Sequence, residues 1–193
     1  AVGYTAMQAQ TTGANNVAVG TNVMNATAAV PGSSGNTFVG ASAGSGTWVT
    51  ATSDNLVAIG RSALSGALTG AGEGTVAIGS SALAALTSGA KNTAVGYLSL
   101  GTDDGVNNTA VGYEALKANC GGYNTAVGTQ ALQAVTGAEN TAMGWDAGGA
   151  IIGGTHNVCV GSNAGDTITT GTTNTSIGAD SDVSASGSTN QIA

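Results

Sequence analysis

Charge is what this chain has least of. Only 7% of its residues are charged, and three cations, Arg61, Lys91 and Lys117, stand against ten acids for a net charge of −7. Three scattered cations cannot neutralise a run of phosphates, so nucleic acid is not expected as a partner. The acidic balance also disfavours anionic membranes. No apolar run approaches the roughly 18 residues of a spanning helix, so no membrane insertion is expected. Histidine occurs once, as His156. A cysteine–histidine zinc site is therefore excluded, and a histidine-based triad has no supporting partners. The acids are dispersed, and the close pairs Asp103–Asp104 and Asp180/Asp182 match no calcium loop. The Gly-x-Gly matches are by-products of a repeat, not a nucleotide fingerprint. The expectation is no catalysis, no metal and no cofactor. Two cysteines, Cys120 and Cys159, sit at different positions of the repeat. Stacked layers would hold them roughly 10 Å or more apart, too far for a disulfide, so both read as small buried or half-buried thiols. Proline occurs once, as Pro31, and aromatics make up 4%. Whatever core forms must be built from small side chains.

What the chain does have is glycine, 33 of them, and 41% hydrophobic residues placed in register. An aliphatic residue followed by Gly recurs at Gly3, Gly20, Gly40, Gly60, Gly79, Gly96, Gly112, Gly128, Gly144, Gly161 and Gly178. The cleanest copies begin NTAVGYEAL at Asn108 and NTAVGTQAL at Asn124. A period of 16–20 residues held through the whole chain means a stacked one-dimensional array. Residues 1–193 read as one array, with longer, irregular coils over about 21–79 and regular coils over about 80–178. Its register predicts continuation beyond both ends.

Counting the marker Gly as position 0, position −1 is apolar in every copy, as at Val95, Val111 and Val127. Position −3 is Val or Thr, and position −2 is mostly Ala. Positions −1 and −3 share one face of an extended strand and −2 takes the other. β-Branched residues opposite small ones predict a short strand buried on both sides. Position −4 is Asn, including Asn92, Asn108, Asn124 and Asn140, and fails only at Leu56 and Thr75. Position −7 is usually Gly. Gly-x-x-Asn reads as a turn in which Gly supplies a positive φ and Asn bonds its own nearby backbone, with stacked copies forming an amide ladder.

Behind the marker glycines Gly60, Gly79, Gly112 and Gly128 comes a second apolar pair at +3 and +4, Ala63-Leu64, Ala82-Leu83, Ala115-Leu116 and Ala131-Leu132. These segments look helix-prone but are too short to form helix alone. They read as a second short strand or bend, with Leu closing the coil; a strand-plus-helix solenoid is the alternative. The predicted fold is all-β, a parallel β-roll or β-solenoid of about eleven 16–20-residue coils in an elongated homotrimeric fibre. The trimer would bury the remaining strand face, with the Ala column allowing close approach to the axis. Extra residues near 25–35, 44–54 and 68–74 should loop outwards, where binding surfaces usually sit.

Position +1 carries Tyr4, Tyr97, Tyr113 and Trp145. Facing solvent, these rings would stack on sugars; otherwise they pack over the neighbouring coil. Tyr97, Tyr113 and Trp145, with Trp48 in a loop, are the candidate contacts for a glycan or protein receptor on a host surface. The NTAxGxxAL pattern at 108–115 and 124–132 resembles the repeat of phage tail-fibre proteins. The segments Gly74-Thr75-Val76-Ala77-Ile78-Gly79 and Asn55-Leu56-Val57-Ala58-Ile59-Gly60 are similar to the coils of trimeric autotransporter adhesin heads. The likeness covers essentially the whole chain. It implies a homotrimeric fibrous β-roll on a virion or outside the cell. The first functional expectation is therefore a tail-fibre segment that carries or spaces a host-attachment site. A bacterial surface adhesin or extracellular filament subunit is the alternative. An ice-binding solenoid is more remote, because it needs a flat outward Thr row. Thr93, Thr109, Thr125 and Thr141 supply one, but Val17, Val57, Val76 and Val158 interrupt it as a buried column would be interrupted.

Overall fold

The computed structural model describes residues 1–8, 12–25, 32–46, 53–69, 72–102 and 105–193. Ten strands follow in chain order: β1 (Val17–Val19), β2 (Thr37–Val39), β3 (Val57–Ile59), β4 (Val76–Ile78), β5 (Thr93–Val95), β6 (Thr109–Val111), β7 (Thr125–Val127), β8 (Thr141–Met143), β9 (Val158–Val160) and β10 (Thr175–Ile177). Each pairs in parallel with the next to form one ten-stranded sheet. Register is position on position: Thr109 lies against Thr125, Ala110 against Ala126 and Val111 against Val127. The fold is thus an all-β solenoid, as the repeat predicts. Ten strands enclose about nine full turns rather than eleven. The remaining copies are represented by single bridges, Val2 to Val19 at one end and Thr175 to Ile192 at the other. At about 4.8 Å per strand, nine steps make a sheet roughly 43 Å wide along the stacking direction.

The segments after each marker Gly are turns, and neither helix nor second strand forms among the described residues. Five residues between corners cannot complete a stable helix. Turning so tightly takes left-handed backbone instead. In the coil around Gly112, position +2 (Glu114) has φ 54° and position +4 (Leu116) has φ 50°; position −5 of the next copy (Tyr123) has φ 64°. The same three positions repeat along the array, for example Gln130, Leu132 and Glu139. A left-handed residue costs about 1–2 kcal/mol. At +4 this is offset because Leu64, Leu83, Leu100, Leu116 and Leu132 are fully buried, which contributes about 1.5–3 kcal/mol each.

The middle residue of each strand points inwards. Ala58, Ala77, Ala94, Ala110, Ala126 and Ala142 have no exposed surface. The flanking −3 and −1 residues are half-buried or exposed. This corrects the expectation of strands buried on both sides with the Ala column on a trimer axis. The alanines line the coil's own interior, facing the +3 and +4 side chains of the opposite wall. Between two walls so close, Leu from one side leaves room only for Ala from the other.

Two exceptions trade volume across the coil, and in a third, where Gly148 goes with Ala142, Leu132 and Ile151 fill the space instead. Phe38 replaces Ala at −2, and that coil has Gly44 where Leu64, Leu83, Leu100, Leu116 and Leu132 stand in other copies. A methyl at Gly44 would come within 3.2 Å of the Phe38 ring. Cys159 likewise replaces Ala at −2, and its coil has Gly165 at +4, where a methyl would overlap the Cys159 sulfur. Cys120 and Cys159 are both buried and unpaired with each other.

Asparagine at −4 forms a ladder, with its bonds directed mainly to the next coil. Asn108 Oδ1 accepts from the Asn124 backbone N–H at 2.7 Å, and Asn124 Oδ1 accepts from that of Asn140 at 2.9 Å. Asn108 Nδ2 donates to the Gly121 carbonyl at 3.0 Å, and Asn124 Nδ2 to that of Gly137 at 3.0 Å. The expected local bond also exists at Asn124, to Gly121 at 2.9 Å. The −7 glycines serve a different purpose from the one expected. Gly13 has the expected positive φ, 110°, but Gly72, Gly89, Gly105, Gly121, Gly137, Gly154 and Gly171 do not. At Gly137, for instance, a methyl would overlap the Gly154 carbonyl. The left-handed corner of that turn falls two residues later, at −5. The marker glycines do have positive φ, 140° at Gly112.

Candidate functional site

Because −2 points inwards, −1 and −3 form an outward stripe along the sheet. Its −1 column is apolar at all ten strands. Val19 and Ile59 are each 39% exposed, Met143 is 52% exposed and Ile177 61%. Val111 is exposed, while Val95 and Val127 are half-buried. The adjacent −3 column alternates runs of Thr with Val, and none of it is buried. The valine interruptions therefore do not mark a buried column, which removes the argument against an outward Thr row.

The chain bends at each marker Gly, and the +1 column stands on the wall beyond that bend. Tyr97, Tyr113 and Trp145 are all about half exposed. Tyr97 and Tyr113, one coil apart, stack with ring centroids 5.6 Å apart and planes 17° from parallel. Both sequence alternatives hold: the rings face solvent, and two of them pack over a neighbouring coil. Trp145 is two coils beyond Tyr113, with Thr129 between them in the column. Their spacing is fixed by a second backbone ladder. The Gln130 N–H donates to the Tyr113 carbonyl at 2.8 Å, and the Asp146 N–H to the Thr129 carbonyl at 2.9 Å. Trp48, the fourth candidate contact, lies outside the described residues, as do much of the three insertions around it.

Beside the tyrosines is a polar cluster that reading single positions does not find. Glu114 is buried, and its carboxylate accepts from Lys117 Nζ at 2.9 Å and from Gln133 Nε2 at 2.6 Å. Lys117 and Gln133 occupy the same repeat position, +5, in successive coils. Aligning the copies by coil, rather than by strand, is the signal that brings them together. The Lys117 ammonium holds the Glu114 carboxyl below the usual carboxylate range, helped by the Tyr113 hydroxyl and the Gln133 amide. Glu114 in turn raises the Tyr113 hydroxyl and the Lys117 ammonium.

Asn92, Asn108, Asn124 and Asn140 are fully buried, so they bind the coils together and present nothing to a ligand. Burial pushes the Cys159 thiol up to about 12, which leaves it protonated and poorly nucleophilic. Among the described residues there is no enclosed pocket, no group of acids, cysteines and histidine arranged to hold a metal, and no helix long and apolar enough to cross a membrane. What the described surface offers is open: one apolar stripe and one aromatic shelf. No family model, curated protein or solved structure matches the chain.

Proposed function

We propose that this chain is a non-catalytic structural segment of an extracellular fibre, assembled as a homotrimer, that carries or spaces a host-attachment site. A virion tail fibre is the first setting, and a bacterial surface adhesin or filament subunit the alternative. The observation that supports it is the outward −1 column, apolar at every strand. A long, regular apolar stripe in water is a self-association surface. Closing the core is not the reason for a partner. The chain exposes 7545 Å², close to the roughly 8,100 Å² of a compact monomer of its size. In a threefold assembly it is the β-branched columns, not the alanines, that meet at the axis.

Light scattering on the wild type and on Val111→Lys tests this. The wild type should have three times the chain mass. The variant should be monomeric with its β circular dichroism unchanged, since Val111 is a surface position. A monomeric wild type sinks the reading. The outward Thr residues favour one second reading, an ice-binding solenoid, in which the same stripe meets ordered water. Thermal hysteresis from a monomer would establish it, and a trimer that buries the stripe would exclude it.

A further inference from the structure

We infer that the gap over Thr129, between the rings of Tyr113 and Trp145, is a saccharide subsite that takes one pyranose ring. This deepens the attachment role proposed above and rests on it. Tyr97 covers one face of Tyr113 in a near-parallel stack. The opposite face of Tyr113 is therefore turned along the rod towards the next coil. That coil carries Thr129 at the same position, too short to fill the space a ring would fill. Trp145 stands on the coil after it and makes no ring contact with Tyr113 among the described residues. Two coil steps span about 9–10 Å. A ring held between two others at van der Waals contact needs about 7–8 Å. The gap is thus one ring wide, and the backbone ladder through Tyr113, Thr129 and Trp145 keeps it so.

The surroundings favour a sugar over an aromatic side chain. The +2 positions beside the shelf are Glu114, Gln130 and Asp146, an acid–amide–acid row. Glu114 is engaged by Lys117 and Gln133. The Thr129 hydroxyl and the Gln130 side-chain amide make no hydrogen bond among the described residues. Thr129 lies in the aromatic column and Gln130 in the column next to it, so both bring donors and acceptors to the gap. A pyranose presents apolar C–H faces to the rings and hydroxyls at its rim, which suits this arrangement. An aromatic ligand would use the rings and leave the polar row idle. The aromatics are also confined: apart from Tyr4 in the first copy, the +1 column elsewhere holds Thr21, Ala41, Arg61, Ser80, Ser162 and Ala179.

The test uses the intact chain with methyl α- and β-hexopyranosides and their disaccharides, followed by saturation-transfer NMR and tryptophan fluorescence. At least one glycoside should receive saturation at its ring protons. Tyr113→Ala and Trp145→Ala should each weaken it by about tenfold or more. Thr129→Tyr should abolish binding while keeping or raising the melting temperature, because it completes the stack. Tyr4→Ala should leave binding unchanged. Absence of binding by every glycoside overturns the proposal. So does a Thr129→Tyr variant that binds as wild type, or saturation of tyrosinamide in place of sugars. The assembly reading is judged separately by mass: a monomer that binds sugars loses the fibre and keeps the subsite, and a trimer that binds none loses only the subsite.

Discussion

The longer coils before Gly79 and the regular coils after it solve the same stacking problem with different parts. Marker glycines are 20, 20 and 19 residues apart from Gly20 to Gly79, and 16 apart from Gly96 to Gly144. The strands are the same length in both halves and pair in the same register. The differences are inside. The regular half has an unbroken asparagine ladder from Asn92 to Asn174 and, between Gly96 and Gly128, Leu at +4. The irregular half interrupts the ladder with Leu56 and Thr75 and in one coil swaps Ala and Leu for Phe38 and Gly44, a larger version of the Cys159–Gly165 swap in the regular half. Ser33 and Ser53, in the −7 column where the regular half has Gly, form a short ladder of their own: Ser53 N–H donates to Ser33 Oγ at 3.1 Å, and Gly72 N–H to Ser53 Oγ at 3.2 Å. The backbone ladder and the bend at Gly are therefore the fixed parts of the repeat. The amide ladder and the way the interior is filled can vary, provided each coil fills its own volume.

The sharpest way to break that equivalence is to convert one coil type into the other. Phe38→Ala leaves the volume of a buried ring and should cost about 3–5 kcal/mol. Gly44→Leu alone should cost about 1–3 kcal/mol by overpacking against that ring. Together they recreate the Ala–Leu pair of the regular coils, and Gly44 already has the left-handed φ, 59°, that Leu adopts at this position elsewhere. The double variant should recover at least about 2 kcal/mol relative to the sum of the singles. Denaturant melts of the four proteins measure it. Simple additivity would show that the two positions do not share one space.

The next comparison is between rungs. Asn124→Ala removes the acceptor for the Asn140 N–H and the donor to Gly137. Buried groups left unpaired cost about 1–3 kcal/mol each, so a loss of about 2–4 kcal/mol is expected. Thr75 holds the corresponding place in the irregular half with a longer contact, 3.4 Å from Asn92 N–H to Thr75 Oγ1. Thr75→Asn should therefore be neutral or slightly stabilising, within about 1 kcal/mol. If both substitutions cost the same, the ladder is not what separates the two halves.

The repeat made the strands, their parallel stacking and the Asn ladder legible, because each follows from a residue type recurring at one position. It did not reveal which strand face points inwards. Alternation places Ala110 opposite Thr109 and Val111 but assigns no side to either; only the width of the coil does, and that is set by turns that sequence patterns describe poorly. Positive φ at the −7 glycines holds only at Gly13; at Gly89, Gly105, Gly137, Gly154 and Gly171 the glycine answers instead to the close approach of the next coil's carbonyl. The left-handed corner falls at −5, where Asn15, Gly35, Asn55, Gly74, Asn107 and Asn190 fit the usual preference for Asn and Gly, but Lys91, Tyr123, His156 and Thr173 in other copies obscure it. Of the candidate contacts, the aromatic column was visible from its spacing. The cluster of Glu114, Lys117 and Gln133 was not, since it forms between coils.

The regular half also contains two acids that should respond oppositely to pH. The Asp166 carboxyl lies well above its ordinary 3.8, at about 6, because it hydrogen-bonds the Asp182 carboxyl, with burial and the charges of Asp182, Asp180 and Asp146 adding to the shift. A carboxyl whose pKa is higher in the folded chain stabilises the fold while protonated. That contribution is complete below about pH 3.8 and is lost as pH rises through about 6. Glu114 is the reverse: its lowered pKa stabilises the fold above the ordinary carboxylate range and is lost as pH falls below it. Between pH 7.5 and pH 4.5, amide protection around Asp166 should therefore increase, after correction for intrinsic exchange. Protection around Glu114 should stay level over that range and fall only at more acid pH, below the ordinary carboxylate range. Asp182→Asn should flatten the first response, and Lys117→Met the second. Because Asp166 is exposed and Lys117, the partner of Glu114, is half-exposed, the effects are small, and parallel changes at the two sites would mean that pH acts on the whole array through its net charge of −7.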